Sequence, residues 1–147
     1  MNHDPVIDAL TEQVGCYRRL AKLAELQHEH VRQSRTEQLL EVLRSRQEVL
    51  EQISASERTV APVKRRWADY LSGLEGARRQ QAETLLAETR NLLEQITAAD
   101  RSDVMVLQQR KVNVGKQIAQ TASARQLSRN YAAAAYGHRA PGMDVKR

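Results

Sequence analysis

The chain has 147 residues with a formal net charge of +5, contains no phenylalanine, and is only 3% aromatic. This composition excludes a deep aromatic core, and no apolar run approaches the roughly 18 residues that a membrane-spanning helix needs. The N-terminus lacks a basic region followed by an apolar one, so we predict no secretory signal and expect a cytoplasmic location. A core of Leu, Val, Ile and Ala favours an all-α fold.

The first predicted helix covers residues 4–32. Asp4 is a suitable N-cap, and Pro5 is tolerated at the first helical position because its missing N–H would be unpaired there. Apolar residues then recur at alternating spacings of four and three, which is typical of one long amphipathic helix. They are Leu10, Val14, Tyr17, Ala21, Ala24 and Val31, with His28 in the same series between the last two.

The second predicted helix covers residues 35–72. Ser34 and Glu37 have the spacing of a capping box. The predicted inner face consists of Leu39, Leu43, Arg46, Leu50 and Ile53, with Leu40, Val42 and Val49 beside it. Arg46 is interpreted as a side chain at the edge of this face whose guanidinium group, the wet head group, is exposed to solvent. Pro62 predicts either a bend or an end near Ser56 with a restart at Thr59.

Two further helices are predicted after the turn at residues 73–76 (GLEG), over 77–98 and 101–135. Asp100 or Ser102 can cap the last one. Short links place consecutive helices antiparallel, so we predict an elongated antiparallel hairpin or bundle of three to four long helices. It forms a single domain over residues 1–136, and residues 137–147 are predicted to be disordered.

The last predicted helix contains the candidate partner-binding residues. Its apolar stripe thins after Ile118, and a helix with so little apolar surface needs a partner to pack against. The candidates are Val104, Leu107, Val114, Ile118, Leu127, Tyr131 and Tyr136. Alternatively, the first four are ordinary bundle core. If they are not, the stripe also allows weak self-association.

Residues for catalysis or metal binding are not apparent. His28 and His30 are two residues apart, whereas metal-binding histidines on one helix face are four apart. No glycine-rich phosphate loop is present. The single cysteine, Cys16, is interpreted as a small buried or half-buried thiol. We therefore expect no enzyme activity, no cofactor, no metal and no small-molecule substrate.

Positive charge is concentrated at the C-terminal end. Residues 101–147 contain nine Lys/Arg and two Asp/Glu. Such a segment can bind nucleic acid, an acidic partner or a membrane surface, or remain solvated without a partner. A nucleic-acid site would also need aromatic or arginine platforms, and few aromatic residues are nearby. We do not expect nucleic acid as the main partner.

Four stretches carry a resemblance to a known family. The first is the long helix with Leu10, Val14, Tyr17, Leu20, Leu23 and Gln27. The others are residues 44–58 (RSRQEVLEQISASER), residues 92–118, and the AAYG sequence at 134–137. In these stretches the chain resembles the FlgN family of flagellar export chaperones.

The resemblance implies a helical chaperone for flagellar type III export. Its partners would be hook-associated (hook–filament junction) proteins, held through an amphipathic terminal helix until export, and the export apparatus. The resemblance implies a groove that apolar anchors at i, i+3, i+4 and i+7 fill. Val104, Leu107, Val114 and Ile118 would form the side of this groove, and Leu127, Tyr131 and Tyr136 would close over the cargo. The alternatives are a chaperone for another flagellar cargo, a helical protein that binds nucleic acid or an acidic partner, and a purely structural coiled coil.

Overall fold

The computed structural model describes residues 3–136, and side chains as far as residue 134. It contains four helices, α1 (Pro5–Arg32), α2 (Thr36–Lys64), α3 (Trp67–Ser72) and α4 (Gly76–Tyr136), and no strand within residues 3–136. The all-α prediction is confirmed. The predicted disordered tail, residues 137–147, lies outside the described residues.

The chain divides into two units by its internal contacts, Met1–Val106 and Leu107–Arg147. The first unit is a three-helix bundle. Gln13 of α1 bonds Glu57 of α2 and Gln27 bonds Arg46, so α1 and α2 are antiparallel. Arg18 bonds Glu88 of α4 and His28 bonds Asp103, so α1 and α4 run in the same direction.

The start of α1 follows the prediction from Asp4 and Pro5. The Asp4 Oδ1 atom accepts hydrogen bonds from the backbone N–H groups of Val6 (2.8 Å) and Ile7 (3.3 Å). These are donors that a helix start would otherwise leave without partners. The Tyr70 hydroxyl donates to Asp4 Oδ2 over 2.9 Å, which ties α3 to the first turn of α1.

The predicted capping box at Ser34 is not formed. Arg35 occupies the N-cap position of α2 without a side-chain hydrogen bond, and Ser34 has a φ of 56°. The left-handed conformation of Ser34 reverses the chain, and the Arg35 N–H donates to the His30 carbonyl over 2.9 Å. The turn is therefore closed by backbone geometry rather than by a capping side chain.

Pro62 lies inside α2, which continues to Lys64. The helix predicted over residues 35–72 is interrupted at Arg65 and Arg66 before α3, and the alternative end near Ser56 is wrong because α2 runs through that position. After the break, Trp67, Tyr70 and Leu71 of α3 pack against the core cluster near the start of α1. That cluster contains Ile7, Ala9, Leu10, Val60 and Ala82.

The predicted inner face of α2 is offset from the observed one. Val42, Val49, Ile53 and Val60 are buried, whereas Leu43 and Leu50 are exposed. A second core cluster joins Val49 and Ile53 to Cys16, Leu20 and Ile96. The predicted burial of the Cys16 thiol is confirmed.

The predicted break between residues 98 and 101 is absent, because α4 is one helix from Gly76 to Tyr136. Asp100 does not cap a helix; its carboxylate binds Arg46 of α2 instead. Within the bundle, α4 buries one residue in every seven. These residues are Ala82, Thr89, Ile96 and Asp103.

Candidate protein-binding surface

A buried carboxylate ends the core of the bundle on α4. Asp103 is only 2% exposed. Gln27 Nε2 donates to its Oδ2 over 3.0 Å, and His28 Nδ1 lies 2.7 Å from its Oδ1. A buried carboxylate is tolerated only where hydrogen bonds replace the lost water. The two α1 side chains therefore fix the position of α4 at this level.

Arg46 extends the same network to α2. Its Nη1 and Nη2 atoms donate to Asp100 Oδ1 and Oδ2 over 2.8 and 2.9 Å, and Nη1 also donates to Gln27 Oε1 over 2.6 Å. The hydrogen bond to Asp100 raises the pKa of Arg46, although partial burial opposes this. The Arg46 side chain is only 14% exposed, so the predicted wet head group is wrong.

Gln27 joins the two pairs, because its amide nitrogen reaches Asp103 and its amide oxygen accepts from Arg46. All three long helices of the first unit thus meet in one polar network. The α1–α2 hairpin closes at residues 33–35, about one and a half to two turns beyond His28. The first unit ends at Val106, shortly after Asp103.

In the second unit, residues 107–134 form a helix whose side chains are almost all exposed to solvent. Every described side chain in this range is exposed except that of Arg110, which is half-buried. Six of the predicted binding residues, Val104, Leu107, Val114, Ile118, Leu127 and Tyr131, are between 45% and 69% exposed. The alternative that the first four are bundle core is therefore wrong. The side chain of Tyr136 lies outside the described part of the chain.

The predicted binding residues do not all lie on one side of the helix. Leu107, Val114 and Ile118 are spaced seven and four apart and form one line, which we call the Leu107 face. Leu127 is nine residues beyond Ile118, which at 3.6 residues per turn is about 180° around the helix. Tyr131 is about 220° around from Ile118. These two side chains therefore belong to the opposite side.

Val104 belongs to the first unit, where it helps to line a shallow apolar groove on α4. The other lining residues are Thr97, Asp100, Arg101 and Met105. In the prediction this residue continued the stripe of Leu107. In the structure it lines a groove together with Asp100, which belongs to the polar network described above.

Basic residues share the Leu107 face. Lys111 is four residues after Leu107, Arg125 is seven after Ile118, and Arg129 is four after Arg125. These spacings place all three within about 60° of the apolar line. Lys116 lies about 180° from Arg125. Residues 107–136 contain no Asp or Glu, so the face is both aliphatic and cationic.

Three leucines of the bundle that the sequence pattern assigns to apolar helix faces are exposed in the structure. Leu43 and Leu50 lie three residues before and four after Arg46, so they share its side of α2. Leu93 lies seven residues before Asp100 and shares its side of α4. All three leucines are exposed. The sequence contained a signal for this, because Val42 and Val49 have the same seven-residue spacing as Leu43 and Leu50 and could equally form the inner face of α2.

Within the described residues, no group of three or more His, Cys, Asp or Glu side chains could hold a metal ion. None of the described helices combines the length and apolar character needed to cross a membrane.

Comparisons with protein-family models, with curated proteins and with solved structures found no match. The resemblance to the FlgN family thus stays a prediction from the sequence.

Proposed function

We propose that this chain is a binding protein that receives an amphipathic helix of a partner protein on the Leu107 face of α4. In its specific form, following the sequence resemblance, it is a flagellar type III export chaperone for hook-associated proteins. The observation that carries the proposal is the exposure of the residue 107–134 helix together with the line of aliphatic residues Leu107, Val114 and Ile118 along one of its sides.

The energetics favour a helical partner. An isolated helix is marginally stable in water unless an amphipathic face packs against another element. Burying an aliphatic side chain of the size of Leu, Val or Ile contributes roughly 1.5–3 kcal/mol. Docking a partner helix on Leu107, Val114 and Ile118 would therefore stabilise both helices. It would also hide the apolar face of the partner, which is how a chaperone prevents premature assembly.

The contacts that stabilise the first unit do not involve the Leu107 face. The first unit has its own apolar clusters and the Asp103–Gln27–Arg46–Asp100 network, all within residues 1–106. Changes to exposed side chains after residue 106 leave these contacts intact. The binding function can therefore be altered without unfolding the bundle.

The experiment compares two variants of the full chain that remove similar apolar area from opposite sides of one helix. Leu107→Ala/Val114→Ala/Ile118→Ala removes the Leu107 face, and Leu127→Ala/Tyr131→Ala is the matched control. Calorimetry against a C-terminal peptide of a hook-associated protein should show that the first variant loses binding affinity by at least about tenfold. The affinity of the control variant should stay within about twofold of that of the wild type. Equal losses in both variants would contradict the proposed face.

The flagellar assignment has its own test. Co-purification from cells should recover hook-associated proteins with the wild-type chain and not with the Leu107-face variant. Recovery of a different export cargo by the same face would retain the chaperone function and replace its cargo.

A second candidate function is favoured by one observation. Residues 107–136 contain five Lys/Arg and no Asp/Glu, which suits any anionic partner, nucleic acid included. Binding to nucleic acid would depend on the cations and would fall steeply with salt. It would not require Leu107, Val114 or Ile118, so the same two variants separate it from helix binding.

A further inference from the structure

We infer that the partner helix on the Leu107 face is acidic, with carboxylates that meet Lys111, Arg125 and Arg129. This inference rests on the proposed function and adds the chemical class of the partner. Its basis is the placement of aliphatic and cationic side chains on one side of the second unit, where all of them are exposed.

The positions of the cations determine which charges a docked helix must carry. Lys111 lies between Leu107 and Val114, in the middle of the apolar line. Arg125 and Arg129 continue that line for two further turns. A helix packed along residues 107–129 covers about 33 Å and passes all three cations. A neutral or basic partner would bring these groups into contact without compensation, whereas carboxylates would form pairs at the edge of the apolar contact.

A second copy of this chain does not fit the same face. Pairing two Leu107 faces would place the Lys and Arg side chains of one copy against those of the other. No Asp or Glu occurs among residues 107–136 to offset this repulsion. Like charges across a helix pair destabilise it. The weak self-association that the stripe alone allowed is therefore opposed by charge.

Nucleic acid is the less suitable anionic partner. The centre of the face is a line of three aliphatic side chains, which gain little from contact with phosphates. Single-stranded nucleic acid is usually held by bases stacked on aromatic rings. Among the described side chains of the second unit, the aromatic one is Tyr131, and it lies on the opposite side of the helix.

The chain offers a matched pair of lysines for the test. Lys111 lies on the Leu107 face, and Lys116, five residues further, lies about 140° around the helix. Both are exposed on the same helix. Lys111→Glu and Lys116→Glu therefore change the net charge of the chain by the same amount. They differ in the side of the helix on which the charge is reversed.

The probes are two synthetic helical peptides of about 24 residues with identical leucine heptads, one with glutamates and one with glutamines at the flanking positions. The full-length wild-type chain should bind the glutamate peptide at least about tenfold more tightly at low salt. Lys111→Glu and Arg125→Glu/Arg129→Glu should each weaken that binding by about fivefold or more. Lys116→Glu should change it by less than about twofold.

Each contrary outcome has a distinct meaning. Equal binding of both peptides, with equal effects of the two lysine variants, overturns the inference and leaves helix binding in place. Failure of both peptides to bind the wild-type chain overturns helix binding as well. Displacement of the glutamate peptide by a DNA oligonucleotide at lower concentration would replace the acidic helix by nucleic acid. A salt-resistant dimer of the free chain in sedimentation would replace it by a second copy.

Discussion

Arg46 of α2 and Asp100 of α4 form a two-pronged ion pair, with nitrogen–oxygen distances of 2.8 and 2.9 Å. The planar guanidinium and the carboxylate match in geometry, so the pair fixes orientation as well as distance. It lies beside the buried Asp103, and Gln27 connects the two groups. The helix that bears the candidate binding surface is thus held by specific polar contacts where the apolar core ends.

The Arg46–Asp100 pair should show measurable coupling. We expect Arg46→Ala and Asp100→Ala to destabilise the fold, and the double variant to lose less than the sum of the two. A coupling energy of about 1–3 kcal/mol is typical of partly buried groups in one network. Urea unfolding of the wild type and the three variants measures it. Additive losses would show that the pair contributes little.

Replacing Asp103 should be more damaging than replacing an exposed carboxylate. Asp103→Ala leaves the Gln27 amide and the His28 ring without their buried acceptor, and we expect a loss of about 2–4 kcal/mol in the free energy of unfolding. Glu48→Ala, an exposed position in the middle of α2, is the control and should change it by less than about 0.5 kcal/mol. Similar unfolding midpoints for both variants would argue against a structural role for Asp103.

Ionisation of Tyr70 should lower the stability of the folded chain at alkaline pH. Burial, and then the hydrogen bond to Asp4, raise the pKa of Tyr70 well above its ordinary value near 10. As the pH rises, the unfolded chain loses the Tyr70 hydroxyl proton before the folded chain does. The contribution of Tyr70 to the free energy of unfolding is therefore complete below about pH 10 and declines as the pH rises above it. Thermal unfolding between pH 9 and 11 should show a smaller decline for Tyr70→Phe than for the wild type. Parallel declines would assign the alkaline loss to other groups.

Helix content could be predicted from the sequence because apolar spacing and the Asp4-Pro5 cap are local signals. The predicted break near Asp100 was wrong because an aspartate that caps a helix and one that binds an arginine on another helix look alike in sequence. The inner face of α2 was misassigned for a related reason. Leu43 and Leu50 have the same seven-residue spacing as Val42 and Val49, and only packing against α1 and α4 selects the valines.

The candidate surface was predicted in part. Leu107, Val114 and Ile118 could be grouped from their spacing alone. The prediction groups Leu127 and Tyr131 with them because it joins the apolar residues of one predicted helix, 101–135, without following the helical register. At 3.6 residues per turn, their separation from Ile118 places these two residues on the opposite side. The Gln27–His28–Asp103 contacts could not be predicted, because they join residues more than 70 positions apart.

The central claim, that a partner helix docks on the Leu107 face, is tested most directly by site-specific photocrosslinking. A photoreactive residue is placed at Val114 or at Leu127 in otherwise wild-type full chain, and each protein is irradiated with a hook-associated protein. The two positions are similarly exposed, at 52% and 53%, and lie on opposite sides of α4. We predict a strong crosslink from position 114 and a weak or absent one from position 127. A crosslink from position 127 alone, or none from either position, would contradict the account.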